Sequence, residues 1–275
     1  MPELPEVETV RRGLIKLVQG RTVKKVTVLY PKMIESDLTE FVTQLTGKKI
    51  LTVDRRGKYL LLRFSGDLTI VSHLRMEGKY FVQPQTQPLE KHTHVVFDLD
   101  DGQQLRYNDS RKFGRMRLVQ TGQENDLKSL QKLGPEPFAP EFTVDYFAQA
   151  LHRRKKAIKT ALLDQTIVTG LGNIYVDEVL WMTKIHPETP ANHVTRSEIT
   201  ALRQNIIAEL QRAITAGGTT IRSYTDAFRN MGEFQFALNV YGNDGHPCPR
   251  CGTIIEKIKV GQRGTHFCPQ CQKVE

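Results

Sequence analysis

Apolar side chains recur at helical spacing near the start of the chain, where Val7, Val10, Leu14 and Val18 fall on one face of the segment from about Pro5 to Val18. That spacing predicts an amphipathic helix. From about residue 20 to 120 the period shortens. The runs VKKVTV at 23–28, KYLLLRF at 58–64, LTIVS at 68–72 and HVVFDLDDGQQLRY at 94–107 are apolar or alternating and are separated by turn residues. They predict an antiparallel sheet system, the last run folding as a hairpin about Asp101-Gly102. The stretch GPEPFAP at 134–140 carries three prolines, which interrupt either kind of regular structure, and a domain boundary is expected there. Beyond it the helical period returns, most clearly in TRSEITALRQNIIAELQRAITAGG at 195–218. Thr195 and Glu198 have capping-box spacing, Ile199, Leu202, Ile206, Leu210 and Ala213 form one apolar face, and Gly217-Gly218 ends the helix.

Composition narrows the function. The 275 residues are enough for two domains with a small appendage. No apolar run approaches the roughly 18 residues of a membrane span, and charges interrupt MPELPEVETVRRGL, so a secretory leader is not expected and a cytoplasmic location is. Lysine and arginine total 39 against 30 acids, a net charge of +9, which favours a polyanionic partner if the charge is suitably placed.

The cysteines are more specific. All four lie at or beyond position 248, as CPRC at 248–251 and CPQC at 268–271. Two such pairs can converge on one ion, and four thiolates suit a closed structural zinc site better than a catalytic one or a redox pair. One structural Zn2+ held by Cys248, Cys251, Cys268 and Cys271 is therefore expected. The intervening GTIIEKIKVGQRGTHF reads as two strands with a turn at 261–264. That turn projects Arg263, either an ordinary surface arginine or a functional one.

Other segments leave two readings open. HRRKKAIK at 152–159 is either a solvated helix face or a phosphate-binding run. GLGNIYVDE at 170–178 opens a helix, where Gly170 and Gly172 would let backbone amides approach an anion and Asn173 would add a donor. In NDSRKFGRMR at 108–117, Phe113 stands between Arg111 and Arg115; it is a buried strand residue or a wedge for a base stack. Met76 in HLRMEG carries the same ambiguity. In MPELPEVE, Glu3, Glu6 and Glu8 surround two prolines. The segment is a solvated lead-in or, once the initiator methionine is removed, presents Pro2 as a secondary amine with a pKa of about 8, able to act as a nucleophile.

Taken as a set, PELPEVE at 2–8, RRGKYLL at 55–61, HLRMEG at 73–78, KHTHVVF at 91–97, NDSRKFG at 108–114, LGPEP at 133–137, LLDQ at 162–165, GLGNIYVDE at 170–178, GGTT at 217–220, VYGN at 240–243 and the two cysteine pairs resemble a bacterial formamidopyrimidine-DNA glycosylase, in order and over the whole chain. The resemblance implies an α+β fold. An N-terminal helix and antiparallel β-sandwich would occupy 1–133, a linker 134–140, a helical domain with a helix–two-turns–helix motif 141–238, and a zinc-ribbon-like β-hairpin finger 239–273. It also implies damaged double-stranded DNA with a flipped-out nucleotide as the partner, touched by both domains of a monomer.

The resemblance assigns roles by position. Pro2 would attack the anomeric carbon of the flipped nucleotide and expel an oxidised purine, 8-oxoguanine or a formamidopyrimidine. Glu3 would be the general acid/base. Lys58 would assist β-elimination, and Arg263 would clamp phosphate and serve δ-elimination. His73, His92, Arg111, Arg154 and Asn173 match DNA-contacting positions, with Arg154 standing where a lysine can also stand. Met76, Arg111 and Phe113 match the trio that fills the hole left by the flipped base. The segment TTIRSYTDAFRNMGEFQF at 219–236 corresponds to the loop over the extruded base, and its middle departs from the family's usual pattern. Two alternatives remain: an endonuclease VIII-like glycosylase for oxidised pyrimidines, and a noncatalytic zinc-containing DNA-binding protein.

Overall fold

The computed structural model describes residues 1–219 and 232–273, and the chain divides into two compact units. The first comprises Met1–Gln131 with Ala216–Gln235. It opens with helix α1, Leu4–Val18, whose Pro5 occupies the first turn, where its missing N–H costs no hydrogen bond. Val7, Val10, Leu14 and Val18 are all buried, as the spacing predicted. There follow β1 (Val23–Val28), α2 (Leu38–Leu45), β2 (Ile50–Arg56), β3 (Tyr59–Phe64), β4 (Leu68–His73), β5 (Lys79–Pro84), β6 (Thr93–Leu99), β7 (Gln103–Asn108), β8 (Arg115–Gln120) and the single turn α3 (Lys128–Gln131). The strands form two antiparallel four-stranded sheets, β1-β6-β7-β5 and β2-β3-β4-β8. Apolar residues from α1, α2 and both sheets make one core, from Leu14 and Phe41 to Ile70 and Phe97.

Helix α2 lies inside the region whose pattern predicted only sheet. Its eight residues are too few for a persistent period, yet Asp37 accepts a hydrogen bond from the Glu40 N–H at 2.8 Å, and Phe41 and Leu45 turn into the core. The β6–β7 hairpin forms where expected, with Gly102 at φ 78°.

The second unit comprises Lys132–Thr215 and Phe236–Glu275, so the three-proline stretch at 134–140 lies just inside it. Its helices are α4 (Val144–His152), α5 (Ile158–Leu162), α6 (Asn173–Thr183) and α7 (Arg196–Thr215), followed by the hairpin β9 (Glu256–Val260) and β10 (Arg263–Phe267). The α7 cap is the expected reciprocal one: the Thr195 N–H donates to Glu198 at 2.7 Å and the Glu198 N–H donates back to the Thr195 hydroxyl at 3.4 Å. None of the described helices is long and apolar enough to cross a membrane.

A buried carboxylate joins the helices to the finger. Glu178 on α6 accepts hydrogen bonds at 2.9 Å from the backbone N–H groups of Asn239, Val240 and Tyr241 and from the Asn239 amide. Close to it Glu209 on α7 pairs with Arg212 at 2.8 Å. Burial pushes the Glu209 carboxyl up to about 7, the Arg212 charge opposing the rise and Glu178 adding to it. The folded state therefore holds the Glu209 proton more tightly than the unfolded chain. The penalty is absent below about pH 4.5 and complete above about pH 7. Glu209→Gln is expected to raise the melting temperature at pH 8, by on the order of 1–3 kcal/mol of stability, and to match the parent at pH 4.5 in calorimetric scans.

Candidate catalytic and DNA-binding site

The three carboxylates at the head of α1 have separate tasks. Glu3 is the N-cap, and its backbone N–H donates to Glu6 Oε2 at 2.7 Å. The other oxygen of Glu6 accepts the Thr219 N–H at 2.8 Å, so Glu6 does more than close the first helical turn. Glu8 meets Arg11, Arg12 and Arg55 at 2.8, 2.8 and 3.1 Å. Burial pushes its carboxyl up, but the arginine hydrogen bonds and charges outweigh that and hold it at about 2. Pro2 is buried beside Glu3, whereas Met1 is 45% exposed. The segment is thus packed, not a solvated lead-in, and Met1 is the accessible residue of it.

Helix α1 packs on β2 and β3. The turn between those strands carries Lys58, with Gly57 at φ 57° closing the Arg56–Tyr59 pair. Arg55 spans both features, donating to Glu8 at 3.1 Å and to the Gly57 carbonyl at 2.9 Å, so the lysine's turn is tied to the helix that Pro2 precedes. Lys58 is buried, and so is His73 at the end of β4. Tyr59 meets the His73 ring edge-on at 4.5 Å. Burial, reinforced by the positive charges of Arg75 and Lys58, lowers the His73 pKa to about 3. Its Nδ1 accepts the Arg75 N–H at 2.9 Å, so the neutral ring carries its proton on Nε2 and offers a donor that does not titrate near pH 7.

The three residues expected to fill the space of a flipped nucleotide come from two neighbouring turns. Met76 lies half-buried in the turn after β4, beside Arg75 at φ 54°. Arg111 and Phe113 lie between β7 and β8. Phe113 is 47% exposed, with the Arg111 guanidinium 4.8 Å from its ring centroid, which resolves the ambiguity against a buried strand residue. The buried Asp109 shapes this turn, accepting the Arg111 N–H at 3.0 Å and the Gly114 N–H at 2.7 Å. His92, half-buried at φ 72°, accepts the Asp109 N–H on its carbonyl at 3.0 Å. Between the two turns stands Tyr107, whose hydroxyl is buried with no hydrogen-bond partner among the described residues. A Cβ at Gly78 or Gly114 would collide with that hydroxyl. Neither Tyr107 nor Asp109 was singled out from sequence; the Asp-x-x-x-x-Gly spacing of a side-chain-closed turn was the available signal.

The second unit holds the other candidates. HRRKKAIK is not one solvated helix face: His152 ends α4, Arg154 follows half-buried, Lys156 pairs with Asp164 at 2.9 Å, and Lys159 is fully buried. The Gly170 N–H donates to the Gln165 side chain at 2.9 Å, so it is engaged internally instead of approaching an anion as expected. Asn173 is the first residue of α6, and its amide donates to the Gly264 carbonyl at 2.9 Å. Arg263 is exposed as the first residue of β10, directly after a two-residue turn, Gly261-Gln262, instead of within it.

The four cysteine Sγ atoms lie within 4.8 Å of one another, with Cys251 and Cys268 at 3.5 Å and Cys248 and Cys271 at 4.0 Å. Tetrahedral zinc with Zn–S of roughly 2.3 Å places its sulfurs about 3.8 Å apart, so the set fits one structural zinc ion with no position left open. The Trp181 indole N–H donates to Cys248 Sγ at 3.4 Å, and Trp181, Val240 and Ile255 pack around the thiols.

Comparison with known proteins agrees along the whole chain. Family models described as the formamidopyrimidine-DNA glycosylase N-terminal domain, the formamidopyrimidine-DNA glycosylase H2TH domain and the zinc finger found in FPG and IleRS match residues 1–116, 133–225 and 245–274. The formamidopyrimidine-DNA glycosylases of Ligilactobacillus salivarius and Lactiplantibacillus plantarum are 66% and 57% identical, with full coverage of both chains. The fold is similar to that of a Lactococcus lactis FPG mutant in complex with a Fapy-dG containing DNA, at TM-score 0.95 and 46% identity over 99% of this chain and 100% of that one. It is similar also to the Lactococcus lactis Fpg with an abasic site containing DNA, at TM-score 0.94, the same identity and the same coverage. The DAFRNMG stretch, within the loop expected over the extruded base, lies outside the described residues except for Gly232.

Two outcomes test this geometry. Gly114→Ala is expected to cost about 1–3 kcal/mol by overpacking against Tyr107, read as a lower urea midpoint, and adding Tyr107→Phe should recover part of it. Chelation of zinc is expected to abolish duplex binding while the melting of the β-sandwich persists, and stoichiometric zinc should restore binding.

Proposed function

The chain belongs to the formamidopyrimidine-DNA glycosylase family, and on that premise we propose that it is a bifunctional DNA glycosylase and abasic-site lyase of base excision repair, acting on oxidised purines in duplex DNA. It works as a monomer in the bacterial cytoplasm, on the chromosome. The observation that carries this reading is the buried Pro2-Glu3 pair at the head of a helix tied through Glu8 and Arg55 to the Lys58 turn.

Removal of Met1 leaves Pro2 as a secondary amine. Its nitrogen bonds to C1′ of the flipped nucleotide and loses its proton, while the base leaves with the electron pair of the glycosidic bond and takes up a proton. Glu3 protonates O4′ as the C1′–O4′ bond opens, and the product is an iminium whose fixed positive charge accepts electrons. Loss of a C2′ proton feeds the pair toward the iminium and the 3′ phosphate leaves. Loss of a C4′ proton then releases the 5′ phosphate. Lys58 assists the first elimination, its buried ammonium being a group that can shed its proton where an arginine would not. Arg263 holds the phosphate that departs second.

Binding follows from the same side chains. The His73 Nε2–H, Arg111, Arg154, Asn173 and His92 contact the DNA backbone, which fixes register without reading sequence. Met76, Arg111 and Phe113 fill the space vacated by the flipped nucleotide, an exposed aromatic under a guanidinium being suited to stacking between bases.

Borohydride trapping on duplex DNA with 8-oxoguanine opposite cytosine is expected to yield a covalent adduct at Pro2, located by peptide mass spectrometry. Pro2→Gly should remove the adduct. Glu3→Gln should lower base release by 100-fold or more, within the usual range for a positioned acid. Faster processing of thymine glycol than of 8-oxoguanine would assign the protein to the pyrimidine-directed branch instead.

A further inference from the structure

Arg263 is exposed directly after the finger turn, so whatever fixes its backbone limits where its guanidinium can reach. The turn itself is tight. Gly261 and Gln262 have φ of 53° and 65°, and Val260 pairs with Arg263 across them, the arrangement of a two-residue hairpin whose twist matches its strands. Beneath it lies a charge pair that the catalytic reading leaves unused. Lys159 on α5 and Asp177 on α6 are both solvent-inaccessible, 2.5 Å apart.

Each member also grips the finger strand. The Lys159 ammonium donates to the Gly264 carbonyl at 3.1 Å, joined there by the Asn173 amide at 2.9 Å. The other oxygen of Asp177 accepts the His266 N–H at 2.9 Å. On the near side of the turn, a Cβ at Gly261 would stand 2.5 Å from the Thr160 hydroxyl, so α5 touches the backbone there too. The strand beyond Arg263 is thus hydrogen-bonded to α5 and α6, and the turn before it lies against α5. An apolar pair of equal volume could not direct hydrogen bonds at one carbonyl and one N–H.

We propose that Lys159 and Asp177 are positioning residues for Arg263, setting the register of the finger turn so that the second elimination follows the first. This rests on the assignment of Arg263 to δ-elimination. Base release and β-elimination use residues of the other unit, so a displaced turn changes which product accumulates instead of slowing every step. Misplacement by about 1 Å is enough to cost up to 100-fold in a positioned step.

The test measures base release, borohydride trapping and the ratio of δ- to β-elimination products on an abasic-site duplex, with zinc content determined for each variant. Lys159→Met and Asp177→Asn are expected to lower the product ratio about tenfold or more, with base release and trapping within about threefold of the parent. Gly261→Ala keeps both charges, displaces the turn from Thr160, and should lower the ratio in the same way; it carries the test if the charge variants lose zinc. Thr160→Ala combined with Gly261→Ala should restore part of the ratio. An unchanged ratio in Gly261→Ala, or a proportional fall of both eliminations, overturns the inference. If Arg263→Ala itself leaves the ratio unaltered, the assignment of Arg263 fails and the inference falls with it.

Discussion

Glu6 supplies the constraint on which the rest depends, because a chain end can act as a nucleophile only if it is held still. Its two oxygens take the N–H of Glu3 and the N–H of Thr219, residues more than two hundred positions apart. Without that bridge, each backbone donor would lose a buried hydrogen bond to a carboxylate, which costs about 1–3 kcal/mol. With it, Pro2 and Glu3 sit in the protein interior with their backbone fixed. The same clasp reaches the Gly-Gly-Thr segment that leads into residues 220–231, so the head of α1 and the start of that segment share one carboxylate.

Buried charge is used here for direction more than for stability. Glu8 holds three arginines, one of which also holds the turn of Lys58; Glu178 gathers the backbone at 239–241; Lys159 and Asp177 grip one strand of the finger. Apolar packing could not do the same, because apolar contacts are non-directional and would leave the turns free to slide. Tyr107 plays the corresponding steric part. Its hydroxyl, without a hydrogen-bond partner among the described residues, occupies the space that side chains at Gly78 and Gly114 would need, and so sets the separation of the turns bearing Met76 and Phe113.

Much of this was legible in the chain. Period alone located α1, α7 and the β6–β7 hairpin, because each buries one continuous face and the buried side chains recur at the element's own repeat. Paired cysteines located the zinc site, because ligand spacing is a local property. The resemblance supplied Pro2, Glu3, Lys58 and Arg263 by position. Helix α2 escaped, being too short for a period to establish itself before a cap and two apolar contacts decided it.

What tertiary structure alone decided are the relations between distant residues. Whether Phe113 was buried or exposed depended on Asp109 closing its turn and on Tyr107 standing behind it. The run HRRKKAIK looked uniform, yet one of its lysines is sealed against Asp177 while its neighbours meet solvent, since burial is set by what packs on top and not by the residue's own type. The repeat of side chains along a strand or helix follows from backbone geometry and can be read from neighbours. A partner far away in the chain is chosen only when the whole core closes, and that is why Glu6, Lys159 and Tyr107 acquired their roles in the folded molecule.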